Sequence, residues 1–167
     1  VKGEEEKKSL RLVILDVLES SRSASQLLHH ATVAFRTEDL ERKELDVSNL
    51  TKSVVKSLSP TADMKDITFA VDDTPALIRG DAILLQTALR NVLDNAIKYS
   101  PPDTTVRIHV QPVGNTVQVE VCDQGKGLGL GPVGHLTERF RRGDNVEGIV
   151  GSGLGLTIAD EVMRAHG

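Results

Sequence analysis

DAILLQTALRNVLDNAIKYS, residues 81–100, predicts one long helix whose polar residues lie beside its core face. Asp81 follows Gly80 and is placed to cap the first turn, while Leu85, Ala88, Leu89, Val92, Leu93, Ala96 and Ile97 recur at helical spacing as a broad apolar face. Asn91, Asn95 and Lys98 fall at i, i+4 and i+7, so their side chains stack in one stripe along the edge of that face. A carboxamide oxygen is a hard, neutral ligand suited to Mg²⁺, and a nearby ammonium suits phosphate oxygens, so the stripe has the chemistry to hold a metal–triphosphate unit. The plainer alternative is a row of solvated polar residues on an amphipathic helix. Glycine clusters downstream weigh against it.

Pro101-Pro102 stops the helix, and Val106, Ile108 and Val110 then alternate with polar residues. Gly114-Asn115 supplies a turn, and Val117, Val119 and Val121 return with the same alternation, so an antiparallel hairpin is expected to bury one face against the apolar side of the helix. Upstream, Leu45-Asp46-Val47 predicts a short strand. Residues 49–58 predict a short amphipathic helix with Leu50, Val54, Val55 and Leu58 on one side, closed by Ser59-Pro60. Ile67, Phe69 and Val71 mark another strand, and residues 76–78 one more leading into the Gly80-Asp81 turn. The fold class that follows is α+β: an α/β sandwich of a mixed sheet covered by helices on one face.

Asp123-Gln124-Gly125-Lys126-Gly127 comes directly after the second hairpin strand. A carboxylate only accepts hydrogen bonds, so Asp123 can read an amino group, and flanking glycines let a flat ring approach the backbone without meeting a Cβ. That suits an adenine, although the same pentapeptide also makes an ordinary turn. Further on, His135-Leu136-Thr137-Glu138-Arg139-Phe140-Arg141-Arg142-Gly143 predicts a short basic helix between glycine-bearing segments. It has the character of a lid whose arginines close over a triphosphate. Gly151-Ser152-Gly153-Leu154-Gly155-Leu156 then leads into an amphipathic helix with Ile158, Ala159, Val162 and Met163, and a glycine-rich helix start is an anion site. Neither the dinucleotide-binding G-x-G-x-x-G context nor the P-loop G-x-x-x-x-G-K-[ST] is present.

Residues 4–36 contain no Pro or Gly, and Leu10, Ile14, Val17, Ser21, Ala24, Leu28, Ala31 and Phe35 form a heptad seam. A long coiled-coil-like helix is expected, partnered by the same helix of a second copy. His29 and His30 lie on it without a carboxylate or a second ligand at i+3 or i+4, so neither is expected to accept phosphate or bind metal. The boundary with the globular part falls near residues 38–44. A net charge of −4 and a shortage of aromatics, three Phe, one Tyr and no Trp, speak against nucleic acid as a partner. Asp16 interrupts LVILDVL, so no uncharged apolar run reaches the roughly 18 residues of a membrane span, and no direct membrane contact is expected of this piece. Cys122 is the only cysteine, which fits a reducing, cytoplasmic compartment, and a buried inert thiol is expected there.

Taken in order, NVLDNAIKYSP, DQGKG, TERFRRG and GSGLGL resemble the N box, first glycine box, phenylalanine box and second glycine box of the ATP-binding catalytic domain of sensor histidine kinases, within the Bergerat-fold ATPases. The resemblance covers residues 45–167. It implies ATP and Mg²⁺ as cofactors, with Asn95 as the metal ligand, Asn91 supporting the phosphates, and Lys98 and Tyr99 contacting the nucleotide. It further implies that Asp123 takes the adenine amino group, that Gly125 and Gly127 shape the pocket, that Arg142 approaches the γ-phosphate, and that Gly153, Leu154 and Gly155 line the phosphate chain. Thr137 departs from the family's box, which has a first Phe there, and Phe140 alone keeps the aromatic character. Residues 1–40 resemble the second helix of the dimerisation hairpin and residues 41–167 the catalytic domain, short of the strands that usually close its sheet. The first hairpin helix with its acceptor His is missing from the sequence.

What the resemblance implies is an ATP-dependent protein histidine kinase module, working as a homodimer with a response regulator as its further partner, in a parent protein that is open to membrane anchoring. Two alternatives remain at this level. An ATP hydrolase of the gyrase, mismatch-repair or chaperone type resembles the same fold but carries a Glu four residues before the metal-binding Asn; here that position is Asn91, which cannot take a proton from water. A non-catalytic nucleotide-sensing or dimerisation module is the other, and Thr137 is the residue that favours it.

Overall fold

The computed structural model describes residues 40–127 and 155–167, together with Ala24, Leu27, Leu28, Ala31 and Val33 upstream. The described elements run β1 (Lys43–Asp46), α1 (Val47–Asp63), β2 (Ile67–Asp73), β3 (Leu77–Gly80), α2 (Ala82–Tyr99), β4 (Thr104–Val113), β5 (Thr116–Cys122) and α3 (Gly155–His166). β2, β4 and β5 form one sheet in the order β2-β4-β5, parallel between β2 and β4 and antiparallel between β4 and β5. β1 and β3 pair antiparallel as a separate ribbon. The α+β class with a mixed sheet and helices to one side is therefore the observed one.

The alternation read from sequence fixes the faces. Val106, Ile108 and Val110 are all buried, while Val117, Val119 and Val121 are partly buried on the same side of the sheet. They pack with Val54 and Leu58 of α1 and with Leu89, Leu93, Ala96 and Ile97 of α2. A second core joins Leu84, Leu85 and Ala88 of α2 to Ile158, Ala159 and Val162 of α3 and to Val33. α2 is thus the shared wall of both cores. Its N-cap is Asp81, which is itself buried and whose carboxylate accepts from the Ile83 and Leu84 N–H groups at 3.0 and 3.2 Å.

Several expectations need correction. Val47 begins α1 rather than ending the first strand, because Asp46 turns to cap it, accepting from the Ser48 and Ala76 N–H groups. α1 also runs through Ser59-Pro60 to Asp63 instead of stopping there. Pro60 lacks the N–H that would bond to the carbonyl of Lys56, but Pro60 and Lys56 both lie at the exposed side, where that carbonyl is open to solvent. Cys122 is exposed rather than buried. Its position explains this: inward-facing Val117, Val119 and Val121 leave Gln118, Glu120 and Cys122 on the opposite, solvent side of the strand.

Ala24, Leu27, Leu28, Ala31 and Val33 are helical, as the heptad pattern requires. The seam positions Ala24, Leu28 and Ala31 are exposed, whereas Val33, off the seam, is only 1% exposed against α2 and α3. The remaining seam positions, His29 and His30 lie outside the described residues.

The end of β2 is pinned to the start of α1. Asp73 accepts from the Ser48 hydroxyl and pairs with the Lys52 ammonium at 2.8 Å. The Lys52 and Ser48 hydrogen bonds hold the Asp73 carboxyl below its ordinary value. A carboxyl depressed in the folded state favours folding at neutral pH, and that contribution is lost as pH falls below about 4, through the carboxylate range. Asp73→Asn should therefore lower the denaturant midpoint at pH 7 and flatten its decline between about pH 5 and 3 relative to wild type. Parallel pH profiles for the two proteins would show that this pin contributes nothing.

Candidate functional site

The two apolar faces of α2 adjoin, one on the sheet and α1 and the other on α3, and the polar stripe runs along the outer edge of the α3 face, next to the exposed Arg90 and Asp94. Asn91, Asn95, Lys98 and Tyr99 are all half-buried. Asn91 uses its amide Nδ2 on the Thr87 carbonyl at 2.8 Å, which turns its oxygen Oδ1 outward from the helix. That oxygen is nearest to Gly155 of α3: a Cβ added at Gly155 would lie 3.2 Å from Asn91 Oδ1 and 3.4 Å from Asn95 Nδ2. The Asn95 carboxamide makes no hydrogen bond among the described residues. One turn on, the Lys98 ammonium stands 5.4 Å from the centroid of the Tyr99 ring, within cation–π range.

The pairing of helices explains why Gly155 is a glycine. A Cβ there would be tight against two carboxamides, which would have to give by a few tenths of an ångström to admit it. What results is a shallow cradle: neutral carboxamide oxygens on one wall, and on the other a glycine opening the described part of α3, whose first-turn N–H groups favour negative charge. The donor set fits a Mg²⁺–polyphosphate, since carboxamide oxygens are hard ligands that add no negative charge against phosphate. Among the described residues no group of three or more His, Cys, Asp and Glu gathers in a way that could hold a metal by itself.

At the far end of α2 the glycine cluster that follows Asp123 comes into contact. Gly125 donates its N–H to Asp123 Oδ1 at 2.7 Å, and a Cβ at Gly125 would fall 2.8 Å from the Tyr99 carbonyl oxygen. The Asp123 carboxylate is therefore oriented by its own turn through one oxygen, and the turn rests on the last residue of the central helix. Gly127 is exposed at φ +75°, a conformation that requires glycine. Asp123 is exposed as well. The residues read from sequence as one site, Asn91, Asn95, Lys98, Tyr99, Asp123, Gly125 and Gly155, thus line α2 and the two segments that touch it. Arg142, Gly153 and Leu154 lie outside the described residues, as do Arg139, Thr137, Phe140 and Arg141.

Two residues that sequence reading passed over also meet this frame. Lys65 donates to the Ile97 and Lys98 carbonyls at 3.0 and 2.8 Å, closing the C-terminal end of α2. His166 accepts from the Asp81 N–H through Nε2 at 3.0 Å, and its Nδ1 meets the Val162 carbonyl at 2.7 Å, a pattern that fixes the neutral tautomer with the proton on Nδ1. It fastens the end of α3 to the start of α2. A Cβ at Gly80 would come within 3.1 Å of its ring, so the glycine makes the approach possible. Lys65 lies outside any patterned stretch and His166 at the last position of one, and each acts across a long sequence separation, so nothing local marks its partner.

Among the described residues no helix is long and apolar enough to cross a membrane. A family model described as histidine kinase-, DNA gyrase B- and HSP90-like ATPase matches residues 80–167. The sensor-like histidine kinase SenX3 of Mycobacterium tuberculosis is 35% identical over 127 residues, covering 74% of this chain and 31% of that protein. The solved mycobacterial sensor histidine kinase MprB superposes with a TM-score of 0.65 at 31% identity, covering 75% of this chain and 80% of that one. Full-length ShkA, solved in complex with AMPPNP, gives a TM-score of 0.70 at 25% identity over 96% of this chain and 34% of that one. The chain spans about a third or less of the length of the curated relatives it matches. The matched residues 80–167 take in α2, the hairpin, the Asp123 turn and α3, the elements that build the cradle. With that agreement between site and sequence, the chain belongs to the histidine kinase-, DNA gyrase B- and HSP90-like ATPases and carries a catalytic ATP-binding domain of the sensor histidine kinase type.

Proposed function

We propose that this chain is the nucleotide-binding half of a protein histidine kinase, holding Mg²⁺-ATP against α2 and presenting its γ-phosphate to a histidine on a dimerisation hairpin. The observation that carries the reading is the close approach of Gly155 to Asn91 and Asn95, which puts a glycine-bearing helix start beside two neutral oxygen donors. In this arrangement Asn95 ligates the metal, Asn91 supports the phosphates, and Lys98 lends positive charge. Tyr99 and the Asp123–Gly125 turn receive the base, Gly127 leaves room for it, and Gly153, Leu154 and Gly155 line the phosphates. Arg142 approaches the γ-phosphate. Held by Asn95, a Mg²⁺ ion would supply positive charge to offset that of the phosphate oxygens.

Transfer to histidine forms a nitrogen–phosphorus bond as the bond from the γ-phosphorus to the β,γ-bridging oxygen breaks. The electron pair leaves with ADP, and the attacking imidazole nitrogen, unprotonated in the neutral ring, needs no base to free its lone pair. What the protein supplies is position and charge. ATP hydrolysis of the gyrase or chaperone type makes a different demand, because water must lose a proton. Asn91, its Nδ2 held by the Thr87 carbonyl, offers no carboxylate for that step.

The whole kinase works as a homodimer joined through residues 1–40, with a response regulator as the protein that takes the phosphoryl group onward. Support for the first part is local: Ala24, Leu28 and Ala31, three members of the heptad seam, are exposed in the single chain, Leu28 at 67%. A cytoplasmic setting follows from the need for ATP. No acidic residue directly follows His29 or His30 in the sequence to orient an imidazole, so in this reading the acceptor histidine belongs to another segment of the parent protein.

Asn95→Ala should abolish measurable Mg²⁺-ATP binding by calorimetry while the melting temperature stays within about 3 °C of wild type, since the side chain is half-buried and bonded to none of the described residues. Unchanged affinity in the folded variant would remove the metal site from α2. For the base, Asp123→Asn should weaken ATP by roughly tenfold and narrow the preference over GTP, because a rotated amide can donate to the guanine carbonyl. Asp123→Ala should weaken ATP without improving GTP, and equal binding of ATP and GTP by wild type would take Asp123 out of the site. Sedimentation equilibrium should give a mass near twice 18.1 kDa at micromolar concentrations and above. A monomer throughout would rule out association through the seam.

A further inference from the structure

We propose that Lys65 is a positioning residue for the adenine end of the site, although it lies in none of the stretches that built the nucleotide reading on which this inference rests. The last four carbonyls of a helix have no intrahelical partner. In α2 each has a defined neighbour. The Ala96 carbonyl accepts from the Ser100 N–H at 3.1 Å, those of Ile97 and Lys98 accept from the Lys65 ammonium at 3.0 and 2.8 Å, and that of Tyr99 abuts Gly125. One side chain, arriving from the turn between α1 and β2, thus serves two of the four. It is half-buried, and its positive charge stands where the helix dipole is negative.

The consequence reaches the ligand through two short steps. Lys98 and Tyr99 belong to the turn that Lys65 closes, and the turn holding Asp123 rests on the Tyr99 carbonyl through Gly125. Releasing Lys65 frees that last turn to fray, so the Asp123 carboxylate loses the surface that sets its distance from the base. Of the groups assigned to the phosphates only Lys98 lies in that turn. Asn95 and Asn91 are held about one and two turns earlier, beside Gly155 on the α3 side of the helix. Lys65 therefore governs recognition of the base far more than the phosphate cradle, which is a split that a merely stabilising lysine would not produce.

Calorimetric titration of the 167-residue chain with ATP, GTP and inorganic tripolyphosphate, each with Mg²⁺, separates the two ends. Lys65→Met keeps the aliphatic stem and removes the donors. It should weaken ATP by about tenfold, narrow the ATP-to-GTP ratio, and leave tripolyphosphate within about twofold of wild type. Lys65→Arg, which keeps charge and donors, should recover most of the ATP affinity and the selectivity. If Lys65→Met fails to fold, Lys65→Gln, which is shorter, uncharged and has two donors in place of three, carries the same readings. ATP affinity unchanged in the folded variant, equal losses for ATP and tripolyphosphate, or no recovery with Lys65→Arg would each overturn the positioning role while wild type that still selects ATP keeps the nucleotide reading intact. Folded wild type that binds neither ATP nor tripolyphosphate would overturn that reading and this inference together.

Discussion

The constraint on which the rest depends is that one helix serves two cores. Leu89, Leu93, Ala96 and Ile97 of α2 face the sheet and α1, while Leu84, Leu85 and Ala88 face α3. These two contacts adjoin on one broad side of the helix, and Arg90 and Asp94 lie exposed on the other. Asn91, Asn95 and Lys98 run along the border between the α3 contact and solvent. Neighbouring packing shields them from bulk water without enclosing them, and this half-buried state makes a polar side chain useful: desolvated enough to bind firmly, open enough to be reached.

Because α2 carries the site along its length, its two ends matter as much as its middle. Asp81 satisfies the first N–H groups and Lys65 the last carbonyls, so both ends are closed by side chains rather than by water. His166 adds a third fastening, joining the end of α3 to Asp81. α3 is held at one end by His166 and meets the carboxamides at the other through Gly155. The separation between Gly155 and the Asn91–Asn95 pair is therefore set by fixings at opposite ends of one short helix, and a rigid helix of 12 residues transmits that spacing without slack.

Charge is arranged sparingly. The cradle presents carboxamides where carboxylates would repel a triphosphate, and the one carboxylate at the base end, Asp123, has an oxygen engaged by the Gly125 N–H. In the proposed reading, neutral oxygens for the metal stand partway along α2 and the anionic acceptor for an amino group stands beside its last residue. The same economy distinguishes the kinase type from its hydrolytic relatives: where water is the nucleophile a base is required, and the Asn91 amide supplies none.

The sequence by itself determined the elements and their faces. Helical spacing gave α2 and its stripe, period-two alternation gave the β4–β5 hairpin with its buried valines, and the order of glycine clusters identified the family. Such patterns are legible because a side chain's direction within one element depends only on its neighbours along the chain. They failed where a local rule met an outside partner: Pro60 did not end α1, since its missing bond lies at the exposed side, and Cys122 went to solvent because strand parity outweighed the thiol's preference for burial. Only the tertiary structure decided that Gly155 sits on Asn91 and Asn95, that Lys65 closes α2 and that His166 ties α3 to Asp81. Lys65 and Ile97 are 32 residues apart and His166 and Asp81 are 85 apart, separations across which no periodicity reports. Contacts of that kind exist only once both cores have packed and set the distances between the helices.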